Sequence, residues 1–156
     1  MRSQTDIPAD ARGMRMAIVA SAYHAEVTVP MGQGARAEFA ALGGDPAAVR
    51  SVPAPGAFEI PLLVDALLAR ADVDGAVAIG CVVRGETVHD RHLGLAVTQE
   101  LLRISVVRGK PVGLAVLTVE NMDQARARAG GAVGNKGAEA MRAAVAAACA
   151  RREASR

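Results

Sequence analysis

Four short apolar runs constrain this chain most. They are residues 14–22 (MRMAIVASA), 47–53 (AAVRSVP), 75–83 (GAVAIGCVV) and 111–119 (PVGLAVLTV). Three of them are nearly continuous and rich in β-branched residues, and 47–53 is weaker and partly alternating. Runs of this kind suit strands covered on both faces, as in a parallel sheet. Between them lie stretches with helical spacing. Residues 27–42 place Val27, Met31, Ala35, Phe39 and Leu42 on one stripe, with Gly32 and Gly34 weakening the helix and Pro30 tolerable only in its first turn. Residues 58–70 carry Leu62, Leu63, Ala66 and Leu67, and residues 90–107 carry Leu93, Val97, Leu101 and Ile104. Asn121, with Gln124 three residues on, forms a near capping box, and Gly130-Gly131 should end that helix. Residues 135–150 read as a last, Ala-rich helix. The order β-α-β-α-β-α-β-α-α predicts an α/β fold with right-handed crossovers and helices on both faces of a parallel sheet.

The 156 residues fit one domain, read as residues 14–150 between a flexible N-terminal segment 1–13 and a flexible tail 151–156. Half the residues are hydrophobic (51%) yet only 2% are aromatic, so Ala, Val, Leu, Ile and Met must build the core. The apolar surplus suggests that some apolar surface is buried against other subunits. A net charge of +2 is too balanced to argue for nucleic acid or an anionic membrane. Cys81 and Cys149, far apart and without a C-x-x-C, favour neither a zinc site nor a disulfide framework and read as reduced thiols. No signal-peptide core or membrane-length apolar run is visible, so a cytoplasmic location is expected.

Ligands of parallel α/β sheets bind beyond the carboxyl ends of the strands. There this chain places Tyr23-His24, then APGAFE (54–59), then RGETVHD (84–90). Gly85 permits a tight turn whose N–H groups can hold an anion, with Glu86 offering its backbone and Thr87 a hydroxyl, just ahead of a helix N-terminus. An ordinary strand-to-helix turn with a capping Thr fits those residues as well. His89 can move protons near neutral pH, or can sit at a helix start; Asp90 can be a plain cap. Phe58 and Glu59 can cover a heterocycle and orient its polar groups, though core packing and an answer to the helix dipole are the commoner roles. Tyr23 can stack on a flat ligand or fill a gap. Arg128 and Lys136 flank a Gly-rich helix break and suit phosphate, or simply answer helix-end carbonyls. Neither G-x-x-x-x-G-K-[ST] nor a G-x-G-x-x-G after the first strand is present.

Taken jointly, VPAPGAFEIP, GCVVRGETVHD and PVGLAVLTVENMDQARARAGGAVGNKGAEA resemble the 6,7-dimethyl-8-ribityllumazine synthase family, over roughly residues 15–150. The resemblance implies a flavodoxin-like three-layer α/β/α sandwich with a four-stranded parallel sheet. It implies homopentamers with active sites between subunits, and riboflavin biosynthesis as the setting. The implied reaction condenses 5-amino-6-(D-ribitylamino)uracil with 3,4-dihydroxy-2-butanone 4-phosphate and releases phosphate, with neither metal nor organic cofactor. Carried over by motif, His89 is the acid/base residue. Tyr23, Ala57, Phe58, Glu59, Cys81, Val82 and Val83 meet the pyrimidine substrate. Leu114, from the adjacent subunit, and Lys136 join them. Gly85, Glu86 and Thr87 cradle the phosphate substrate, helped by Arg128 of the adjacent subunit. Three positions depart from the family pattern: Tyr23-His24 for the usual Phe-Asn, Leu114 for a common aromatic, and the DRH after His89 for aromatic-Asp-aromatic. A lumazine- or flavin-binding carrier and a structural shell protein are the competing readings; the retained His89, Arg128 and Glu59 favour the enzyme.

Overall fold

The computed structural model describes residues 7–156. Strands β1 (Met16–Ser21), β2 (Val49–Ala54), β3 (Gly75–Val83) and β4 (Val112–Val119) form one all-parallel sheet in the order β2-β1-β3-β4. Helices α1 (Ala25–Ala41), α2 (Ile60–Leu68) and α3 (His89–Arg108) are its crossovers. After β4 come a short helix α4 (Met122–Ala127), a hairpin of β5 (Ala129–Gly131) and β6 (Gly134–Asn135), and the long helix α5 (Lys136–Ala154). This is the flavodoxin-like three-layer architecture. No helix among the described residues is long and apolar enough to cross a membrane.

Alternation along the strands divides the interior in two. Met16, Ile18, Val77, Ile79, Cys81, Ala115 and Leu117 face α1 and α5, where Val27, Met31, Phe39, Met141 and Val145 complete one core. Ala17, Val19, Ala76, Ala78 and Val82 face α2 and α3, meeting Ile60, Val64, Leu68, Val97, Leu101 and Ile104. The central strand β3 is covered on both faces, which is why GAVAIGCVV shows no polar alternation.

Each of the four strands falls where its apolar run predicts, within two residues. Pro30 is a departure: it lies at the sixth residue of α1 rather than in its first turn. It removes one backbone donor, while its carbonyl accepts from Asn135 Nδ2 at 3.0 Å. The glycines that weaken α1 on propensity allow close packing. A Cβ at Gly34 would strike the Asn135 side chain, and one at Gly137 would strike the Met31 carbonyl, so α1 and α5 approach backbone to backbone. Asn121 caps α4 as expected, its Oδ1 accepting from Gln124 N at 2.9 Å. That helix ends at Ala127, ahead of the glycines, because residues 129–135 turn into the hairpin, with φ 102° at Gly130 and 87° at Gly134.

Of the N-terminal segment, residues 1–6 lie outside the described part, but Ala11 is fully buried and its N–H donates to the Leu42 carbonyl at 3.0 Å. At the other end, α5 runs four residues past its expected limit, with Arg151 and Arg152 in its last turn where cations favour the dipole.

Candidate active site

The sheet order reverses direction at β1: the chain crosses from β1 to β2 on one side and from β2 back over to β3 on the other. The carboxyl ends of β1 and β3 therefore flank a crevice, the usual ligand position in such sheets. A cleft of about 350 Å³ lies there, lined from three strand ends and the start of α3.

The β1 end is fixed by a buried hydrogen bond: Thr28 Oγ1 on α1 donates to the Ser21 carbonyl at 2.7 Å. His24 follows with φ 57°, the one described non-glycine residue in the left-handed region, and its carbonyl receives the Val27 and Thr28 N–H groups at 2.9 and 3.1 Å. Such a backbone costs roughly 1–2 kcal/mol and is typically retained at functional sites. It turns the imidazole edge-on to the Tyr23 ring, with centroids 4.5 Å apart. Both rings line the cleft.

The β2 end contributes Gly56, Ala57 and Phe58. Phe58 is 72% exposed, so its commoner reading as core packing is overturned; Phe39 alone is the core phenylalanine. Glu59 does not line the cleft. Its Oε2 accepts from the Gly56 N–H at 3.0 Å and so holds the loop that presents Phe58.

The β3 end supplies Cys81, Val82 and Val83, and the turn beyond it supplies Gly85, Thr87, His89 and Asp90. Burial, with the Glu26 carboxylate as a lesser cause, pushes the Cys81 thiol up to about 11. It is a neutral wall at physiological pH, not a nucleophile. Thr87 Oγ1 receives the His89 N–H at a long 3.4 Å, and α3 opens at His89, directing its positive end toward this turn. Glu86 is exposed and outside the lining, which leaves its backbone as its contribution. Asp90 is not a cap. The cap position is Val88, and Asp90 is only 8% exposed on the inward side of α3.

Leu114, Lys136 and Arg128 do not join this cleft within one chain. Leu114 and Lys136 line a separate hollow of about 380 Å³ between the β4 edge and α5. The Lys136 ammonium is paired with Glu139 at 2.7 Å, and its backbone N–H donates to the Arg128 carbonyl at 2.8 Å. The Arg128 guanidinium donates to the Gln124 carbonyl at 3.0 Å. Four lining residues stand outside the expected set, and one of them, Asp90, follows directly on His89. His24 follows directly on Tyr23, Gly56 belongs to the quoted GAFE turn, and Leu93 lies on the α3 stripe. Their place in the chain was a signal for each.

The fold and cleft define an α/β protein with a candidate small-molecule site at the carboxyl edge of its sheet, containing two imidazoles, a glycine turn at a helix N-terminus and exposed aromatics. A family model described as 6,7-dimethyl-8-ribityllumazine synthase matches residues 13–152. The chain is similar to the 6,7-dimethyl-8-ribityllumazine synthase of Thermus thermophilus, 42% identical over 131 residues, covering 84% of this chain and 83% of that protein. It is also similar to the proteins of that name from Kineococcus radiotolerans, 44% identical over 90% of this chain and 86% of the relative, and from Rhodopirellula baltica, 42% identical over 81% of each. The chain belongs to the 6,7-dimethyl-8-ribityllumazine synthase family.

Proposed function

We propose that this protein forms 6,7-dimethyl-8-ribityllumazine from 5-amino-6-(D-ribitylamino)uracil and 3,4-dihydroxy-2-butanone 4-phosphate, in a site that two subunits of a homopentamer complete. Family membership over most of the chain supports the reaction. The observation that carries the site is the convergence of Tyr23, Phe58, Cys81–Val83, Gly85, Thr87 and His89 on one cleft.

In this reading the pyrimidine lies against Ala57, the exposed Tyr23 and Phe58 rings and the Cys81–Val83 edge. Glu59 shapes its berth by holding the Gly56–Phe58 loop. The phosphate sits at the Gly85–Glu86–Thr87 turn, where N–H groups and the α3 dipole favour an anion. Its amine partner is the nucleophile, so the protein needs no activated side chain; the neutral Cys81 thiol agrees with that. Attack on the ketone, loss of water to the imine, departure of phosphate, tautomerisation and ring closure each require a proton to move. His89, at the cleft beside the phosphate turn, serves those transfers, for about 10²–10⁴-fold. Holding two reactants together supplies much of the remainder.

Arg128, Leu114 and Lys136 lie off the cleft of their own chain. We assign Arg128 and Leu114 to the neighbour's site, and place Lys136 near the ring from the same surface. A neighbouring guanidinium then stabilises the phosphate as it leaves. The apolar side chains left open on α3, among them Leu95, Leu102, Val106 and Val107, fit burial between subunits. The location assigned is the cytoplasm.

The test is direct. Purified protein mixed with the two substrates should release phosphate and produce the fluorescence of the lumazine in equal amounts. Binding of the lumazine without any turnover would instead identify a carrier.

A further inference from the structure

The inward stripe of α3 is Asp90, Gly94, Val97, Leu101 and Ile104. Four of these five suit a face packed on the sheet; the first is a carboxylate. Asp90 is more than nine-tenths buried, yet it caps no helix, and its side chain accepts no hydrogen bond among the described residues. Arg84, a cation on which the Asp90 charge acts, is engaged by Glu120 at 2.6 Å. No fully sealed side-chain oxygen or nitrogen lacks a partner among those residues. The Asp90 oxygens therefore keep a small exposure, and Asp90 is one of the residues that line the cleft. A buried, unpartnered carboxylate is costly to a fold. Breaches of the local pattern of this kind mark functional positions.

Resting on the reading of the cleft given above, we infer that Asp90 is a recognition residue that accepts hydrogen bonds from the donors of the pyrimidine substrate, its ribityl hydroxyls or ring N–H groups. Charge decides between the two substrates. An aspartate repels a phosphate, and the anion-ready turn is at Gly85 and Thr87 on the rim. Asp90, like Val82, is buried in that cleft, where Gly85 and Thr87 are exposed. A neutral, donor-rich ligand gives the carboxylate charge-assisted hydrogen bonds when it displaces water. The same preference keeps the phosphorylated substrate from entering that end of the cleft, so the two substrates are sorted by charge along one groove.

Two variants test this, Asp90→Asn and Asp90→Leu, each measured three ways: thermal midpoint, KM for each substrate, and Kd for 5-amino-6-(D-ribitylamino)uracil alone. Both should weaken the pyrimidine substrate about tenfold or more, equivalent to about 1.4 kcal/mol. KM for the butanone phosphate should stay within twofold. Asp90→Leu should melt at or above the wild-type temperature, because it replaces a buried charge with the apolar side chain the stripe otherwise carries. Unchanged pyrimidine binding overturns the proposal, as does a loss shared equally by both substrates or confined to the phosphate. A clear fall in melting temperature in either variant also overturns it, since the carboxylate would then be holding the fold. Wild-type protein that makes no lumazine sinks the assigned reaction instead, and the Kd for the pyrimidine alone still decides the role of Asp90.

Discussion

The cleft at the β1–β3 edge and the hollow beside β4 and α5 are alike in size, about 350 and 380 Å³, but different in chemistry. The cleft holds two imidazoles, two largely exposed aromatic rings and a turn whose Gly85 and Thr87 N–H groups have no partner among the described residues. Among its lining side chains there is no lysine or arginine. The hollow holds Lys136, already paired with Glu139, and the half-exposed Leu114; Arg128 is joined to it through the backbone of Lys136. One region thus carries imidazoles and exposed rings but no lysine or arginine. The other carries Lys136, with Arg128 beside it, but no imidazole or aromatic ring. On the proposed function these are two incomplete halves of one site, which bringing copies together would join.

His89→Ala should have the largest effect. Turnover should fall by roughly 10²–10⁴-fold, with the circular dichroism and sedimentation of the wild type; wild-type rates would remove the imidazole from the mechanism. Arg128→Ala should come next, raising KM for the phosphate substrate by about tenfold or more, as losing a hydrogen bond to a charged group costs roughly 1.5–3 kcal/mol. KM for the pyrimidine should change much less. Mixing the two variants, after mild dissociation and reassembly, breaks or sharpens the comparison. Sites that draw His89 and Arg128 from different chains should regain part of the activity, because some interfaces then receive both native groups. Mixtures no more active than their parts would place both residues in one chain.

Away from both regions, Gly137→Ala should lower stability by about 1–3 kcal/mol in a denaturant titration, because the new methyl meets the Met31 carbonyl. The smallest effect belongs to Cys81. Its thiol is raised in the folded chain from the ordinary 9.0 to about 11, so the fold holds the proton more tightly than the unfolded chain does. That contribution is complete below pH 9 and is lost as pH climbs toward 11. Cys81→Ala should flatten that part of the stability profile relative to wild type. At about pH 8, below even the ordinary thiol range, iodoacetamide should spare Cys81 until the protein unfolds.

Much of the frame was legible before any coordinates. β3 was read to the residue, because a strand covered on both faces declares itself as an uninterrupted apolar run. Asn121 was read as a cap because its signal is local. The hairpin at 129–135 was not seen, since such short strands carry no periodicity. Nor was Pro30 inside α1, where tertiary packing overrides the local penalty. In the site, the family resemblance pointed to most residues of the cleft, where local spacing alone fitted an ordinary turn as well, while Asp90 read as a plain helix cap.

What the amino-acid order determined by itself was the alternation of elements, the Asn121 cap, and which turns would stand at the carboxyl edge, for those follow from spacing and from short-range hydrogen bonds. What only the tertiary structure decided was direction. Phe58 faces the cleft while Phe39 fills the core, Glu59 turns back on Gly56, and Asp90 faces inward. The same structure sets Leu114 and Lys136 in a hollow apart from His89. Direction depends on how a helix is rolled against its sheet, and that rotation is set by close packing among residues far apart in the chain.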